Sequence, residues 1–105
     1  VMYVVDNVLI AQSDLPAYLD SLERQLVPAA RQRGMDLLAA WHTSAELGED
    51  VTVTTIFRLQ DWAHWVELRA RAALDPKLYE WLAAFAPMRK GGRRLFYQRA
   101  GFSPL

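Results

Sequence analysis

The nine residues "VTVTTIFRL", 51 to 59, alternate without a break. Val51, Val53, Thr55 and Phe57 fall on one side, and Thr52, Thr54, Ile56 and Arg58 on the other. A period of two is the pattern of a β-strand with one face on a core. The polar, Gly-containing "AELGED" precedes it and reads as a turn, with "MDLLAAWHT" before that as a partner strand. A hairpin alone cannot bury enough apolar surface to be stable, so the rest of the chain must cover it.

The first segment, "MYVVDNVLIA", is rich in β-branched residues and reads as another strand. Alternation sets Tyr3, Val5, Asn7 and Leu9 against Val4, Asp6, Val8 and Ile10. "SDLPAYLDSLERQLVPAARQRG" follows as a helix, with Leu15, Leu19, Leu22 and Leu26 forming its apolar stripe. Ser13 or Asp14 is expected to cap it, Pro16 suits its first turn, and Gly34 suits a left-handed end. Pro28 should kink it or end it early, because proline removes a ladder donor. Asp61 is expected to cap a second helix from Trp62, which Asp75-Pro76 interrupts. A further helical piece runs through Leu78, Trp81, Leu82 and Phe85 to Pro87. "RKGGRR" reads as a turn and "LFYQR" as a last strand.

The order strand, helix, strand, strand, helix, strand is that of a ferredoxin-like α+β fold, an antiparallel sheet with helices on one face. A chain of 105 residues that is 52% hydrophobic makes one such domain, residues 1–105. The sheet's other face would expose apolar strand residues, and pairing two sheets hides them, so a homodimer is expected.

Composition removes several functions. Twelve basic and twelve acidic residues leave no net charge to attract nucleic acid or an anionic membrane. With no cysteine there is neither a disulfide framework nor a thiolate nucleophile. The start lacks the basic region and cleavage site of a signal peptide, and its apolar run is too short to span a bilayer, so a cytoplasmic protein is expected. "RKGGRRLFYQR" collects Arg89, Lys90, Arg93, Arg94 and Arg99 beside Phe96 and Tyr97. The strand "VTVTTIFRL" has no RNA-stacking pattern, so these charges read as a solvated turn or as a guide for a carboxylate-bearing ligand.

Several residues are candidates for a site. Asn7 interrupts an apolar strand; its amide either pairs with a neighbour or holds a ligand oxygen. Trp62 and Trp65 lie about 60° apart on one helix face shared with Leu68 and Ala72, with Trp62 expected in the core and Trp65 on a pocket wall. His64, between them, points to the surface. His42 and Trp41 are neighbours on a strand, so one of them faces the helices; if His42 does, it is a candidate general base. Trp41, the other of the two, is a candidate contact for substrate. Tyr3, Tyr79 and Tyr97 are candidates for a pocket hydroxyl, while Trp81 and Phe85 read as core. The histidines have no third ligand at metal-binding spacing.

The chain resembles the bacterial NIPSNAP proteins of the dimeric α+β barrel superfamily. The resemblance rests on "LVPAARQRGMDLLAAWHT", on "FRLQDWAHWVELRARAALDP" and on the closing "FSPL", and it extends over nearly the whole length. It implies two protomers forming a dimeric α+β barrel, with a pocket between each sheet and its own helices. The superfamily includes haem-degrading monooxygenases, cofactor-independent polyketide monooxygenases and small cyclases. In the haem-degrading enzymes a first-strand asparagine and a second-helix tryptophan line the pocket, and Asn7 and Trp65 stand at corresponding places. Those enzymes also carry an axial histidine later in the helical region, and here no histidine lies between Val66 and Leu82, so the expectation is no cofactor, with haem as the less favoured alternative.

The function expected is therefore binding of a small apolar or aromatic ligand by a cofactor-independent monooxygenase or cyclase acting on an aromatic or polyketide-like substrate. Asn7 and His42 would be catalytic, with Trp65, Tyr3, Trp41, Tyr79 and Tyr97 contacting substrate. The alternative is a non-catalytic module for ligand binding or protein interaction.

Overall fold

The computed structural model describes the backbone of residues 1–105 and every side chain except that of Tyr79. The role expected for Tyr79 thus lies outside the described residues. Four strands, β1 (Met2–Ile10), β2 (Asp36–His42), β3 (Val51–Leu59) and β4 (Arg89–Tyr97), form one antiparallel sheet in the order β2-β3-β1-β4. Between β1 and β2 lies a helical run of three pieces: α1 (Leu15–Ser21), a π-helical segment (Leu22–Leu26) and α2 (Val27–Gln32). Between β3 and β4 lie α3 (Trp62–Ala72) and α4 (Pro76–Phe85). The helices pack on one face of the sheet. No helix among the described residues is long and apolar enough to cross a membrane.

The topology is ferredoxin-like, but the expected barrel is not what forms. The sheet is open: β2 and β4 are its two edges and do not pair with each other. Four strands are too few to curl into a closed wall, and small barrels have about five or more.

Local chemistry accounts for the elements. Asp61 caps α3 by accepting from the His64 backbone N–H at 2.8 Å, and Asp75 caps α4 by accepting from the Lys77 N–H at 3.0 Å. Pro76 takes the first turn of α4, where its missing N–H costs nothing. Gly34 turns the chain into β2 with φ of 85°. Pro28 neither ends nor breaks its helix. The π-helical segment just before it widens the ladder, and the run continues to Gln32. Neither Ser13 nor Asp14 caps α1 through its side chain; a 3₁₀ turn over Gln12–Asp14 leads into it instead.

The expected turn at "RKGGRR" is corrected to strand, since β4 begins at Arg89. The pairing skips Lys90, as Leu9 faces Gly91 and Ile10 faces Arg89, so a bulge absorbs the extra residue. Gly92 is required there by close approach: a Cβ at that position would lie 2.3 Å from the Asn7 carbonyl oxygen.

The core is in two parts. Met2, Val4, Phe57 and Leu59 pack against Ala30 at one end of the sheet. Ile10, Val51 and Val53 pack against Tyr18 and Leu22 at the other. Between them on the same sheet face sit Asp6 and Thr55, which are direct cross-strand partners. A carboxylate and a hydroxyl cannot join an apolar core without polar partners, so packing is interrupted there.

Candidate functional site

A cavity of about 450 Å³ opens over that interruption, between the sheet and the helices. This size suits a small organic ligand, for which pockets run from about 300 to 1,000 Å³. Val4, Asp6 and Val8 supply its floor from β1, and Thr55 and Phe57 from β3. Tyr18 and Leu22 wall it from the first helical run, Trp65 and Leu68 from α3, and Trp81 from α4. A second groove of about 540 Å³ between α2 and α4 shares Leu26, Arg33, Leu78 and Trp81 with it, so the two run together.

The polar groups form a defined set. Arg94 reaches Asp6 across the β1–β4 pair, with Nε donating to Oδ1 at 2.6 Å and Nη2 to Oδ2 at 3.4 Å. Its guanidinium carbon also stands 5.0 Å from the centre of the Trp65 ring, a cation–π contact. Phe96 holds that ring from the sheet side, edge to face at 5.1 Å. Trp81 is fixed by stacking on Phe85 at 5.2 Å and by donating its indole N–H to the Ser21 hydroxyl.

Tyr18 is buried, and burial pushes its phenol above the usual 10.0. The charge of Asp6 adds to this effect and Arg89 opposes it. At neutral pH the group is therefore a neutral hydrogen-bond donor and not a base.

The expected site residues divide between the two faces of the sheet. Trp65 lines the cavity. Asn7 does not share that cavity: it is one residue out of phase with Asp6 and faces away from the helices. There its Oδ1 accepts from the Thr54 hydroxyl at 2.7 Å, so its carbonyl is already engaged. Tyr3 and Tyr97 are cross-strand partners on that same outer face. Trp41 pairs with Thr54 and joins them, 63% exposed. Thus Tyr3, Asn7, Trp41 and Tyr97 share the face opposite Trp65, spread along it, with only Tyr3 and Tyr97 as direct cross-strand partners.

His42 shares the register of Val53, hence the helix side, yet it is exposed at the end of the edge strand and does not line the cavity. Its Nδ1 lies 3.1 Å from the Thr43 carbonyl. His64, expected at the surface, is instead partly buried as a latch. Its Nδ1 accepts from the Gln60 N–H at 3.2 Å, and its Nε2 lies 3.0 Å from the Arg33 carbonyl. Trp62 is not core but 54% exposed, packed edge to face on Phe96 at 5.0 Å.

No histidine lines the cavity, so the donor set offers haem iron no imidazole. Among the described residues no cluster of three metal-ligating side chains occurs.

Asp6, Tyr18 and Trp81 are the site residues that sequence reasoning missed; Arg94 stands there only within a basic run, as a solvated charge or a guide for a carboxylate-bearing ligand. A signal existed for Asp6, a charge in the middle of an apolar strand on the face opposite Asn7.

No family model matches the sequence, and no curated protein matches it. Solved structures do. The chain is similar to a protein from Agrobacterium tumefaciens, with a TM-score of 0.82 and 19% identity over 100% of this chain and 99% of that one. It is similar to a NIPSNAP domain protein from Burkholderia xenovorans, with a TM-score of 0.82 and 18% identity over 99% of each chain. An antibiotic biosynthesis monooxygenase follows at a TM-score of 0.64 and 17% identity, over 95% of this chain and 99% of that one. Over its whole length, this chain has the fold of solved NIPSNAP proteins.

Proposed function

We propose that the protein binds a small apolar or aromatic molecule in the cavity between the sheet and the helices. The observation that carries this reading is the split core. Two apolar clusters stop short of each other, and the gap holds an organised polar set, Asp6, Arg94 and Tyr18, under two tryptophans. Such a mostly apolar cavity with a few convergent polar groups is the usual form of a ligand site.

Kinship to the NIPSNAP proteins and a cofactor-independent monooxygenase or cyclase activity on an aromatic or polyketide-like substrate extend this reading. With Asn7 and His42 outside the cavity, such chemistry would draw on Tyr18 to donate a hydrogen bond to a substrate oxygen, with Asp6 engaged by Arg94. A non-catalytic module is the second reading, favoured by the engaged Asn7 amide. A homodimer is part of the proposal too, since the outer sheet face carries Trp41 and Tyr97 half or more exposed beside Val5, Leu9 and Ile56.

The test is a tryptophan-fluorescence titration with naphthoate in wild type, Trp65→Phe and Trp41→Phe. Saturable quenching that shrinks only in Trp65→Phe supports the cavity. Quenching that shrinks only in Trp41→Phe moves the site to the outer face and sinks the reading.

A further inference from the structure

The charges around the cavity are unequal. Arg33, Arg69, Arg89 and Arg94 line it, against Asp6 as its lining carboxylate. Arg33 is neutralised from outside by Asp75, and Arg94 is paired with Asp6. Arg69 and Arg89 have no ion-pair partner among the described residues. The lining therefore carries an excess of positive charge, contributed by the exposed Arg69 and Arg89.

Arg94 is built to hold an anion. A guanidinium has five N–H donors in a rigid fork. Asp6 occupies the side edge, formed by Nε and Nη2. The end-on edge, formed by Nη1 and the outer proton of Nη2, has no partner among the described residues. The Trp65 ring lies against the same group at 5.0 Å and limits its rotation. The side chain is 42% exposed, so a ligand can reach that free edge. Two parallel N–H···O bonds from an end-on guanidinium match the two oxygens of a carboxylate. The walls beyond it, Tyr18, Trp65 and Trp81, match a flat ring.

We propose that the ligand is an aromatic carboxylate, anchored by the end-on edge of Arg94 with its ring between Trp65 and Trp81. This rests on the small-molecule reading above and names the ligand's chemical class. Asp6 is a positioning residue: by engaging Nε and Nη2 it holds the guanidinium and leaves the end-on edge free. Arg89 adds a second positive charge to the lining.

Calorimetric titration of the full chain with naphthoate and with uncharged naphthamide tests it. Wild type binds the acid about 10- to 100-fold more tightly than the amide, the range for hydrogen bonds to a charged partner. Arg94→Met brings the two affinities together, the acid losing far more than the amide. The double variant Asp6→Asn with Arg94→Met does the same without leaving a carboxylate unpaired, which guards against a folding artefact. Added salt weakens only the acid.

Equal affinity for acid and amide in wild type overturns the anion selectivity and leaves the cavity standing. An acid preference that survives in both variants shows that Arg94 is not the anchor. If neither probe binds and Trp65 emission does not change, the small-molecule reading falls and this one with it.

Discussion

Asp6 and Asn7 are neighbours in the chain and stand on opposite faces of the sheet. Asp6 reaches Arg94 at 2.6 Å under the helices, and Asn7 receives the Thr54 hydroxyl at 2.7 Å on the outer side. The step of one residue decides which polar group meets a ligand in the cavity, because side chains along a strand alternate.

Asn7→Ala should therefore act on stability and not on the cavity. It removes one part-buried hydrogen bond, worth about 0.5–1.5 kcal/mol. Urea unfolding should register that loss while naphthoate affinity stays at the wild-type value. A marked drop in affinity with stability unchanged would put the site on the outer face.

Tyr18 makes stability depend on pH at the alkaline end. Its phenol is raised by burial in the folded protein and titrates near 10.0 when unfolded. The folded state thus holds the proton longer. The contribution is fully present below the unfolded value and is lost as pH rises through the folded one. Urea midpoints measured from about pH 9 to 11 should fall more steeply in wild type than in Tyr18→Phe. Parallel profiles would mean that the phenol is not buried.

Gly92→Ala should loosen the pairing of β1 with β4. Its Cβ would meet the Asn7 carbonyl oxygen at 2.3 Å, a backbone atom that cannot swing aside. A loss of at least about 1 kcal/mol is expected. Gly101→Ala, with open space around the position, should stay within about 0.5 kcal/mol of wild type.

The elements themselves were largely legible from the chain. "VTVTTIFRL" announced β3 at its observed bounds, and Asp61 and Asp75-Pro76 marked the starts of α3 and α4. The faces of β1 were not, because both carry apolar residues and alternation alone does not say which one the helices cover. Only the tertiary arrangement put Val4 with Phe57 and Ala30 in one cluster.

"RKGGRR" looked like a turn because glycine and charge discourage strands. Its pairing comes from β1, where a bulge and a close approach at Gly92 make glycine an asset. Trp81 read as core because helical spacing does not reveal a gap beneath a ring. That gap exists because Asp6 and Thr55 interrupt the packing from the sheet. The barrel expected from the resemblance describes more than one chain's sheet can do, and the four strands here stay open.

On the proposed reading a ligand enters between the sheet and the helices, over Asp6. Methyl-resolved NMR of the full chain titrated with naphthoate tests it most directly, since the two faces carry different methyl groups. Shifts confined to Val4, Val8, Leu22 and Leu68, which line the cavity, are the result predicted. Shifts confined to Val5, Leu9 and Ile56 on the outer face would contradict it.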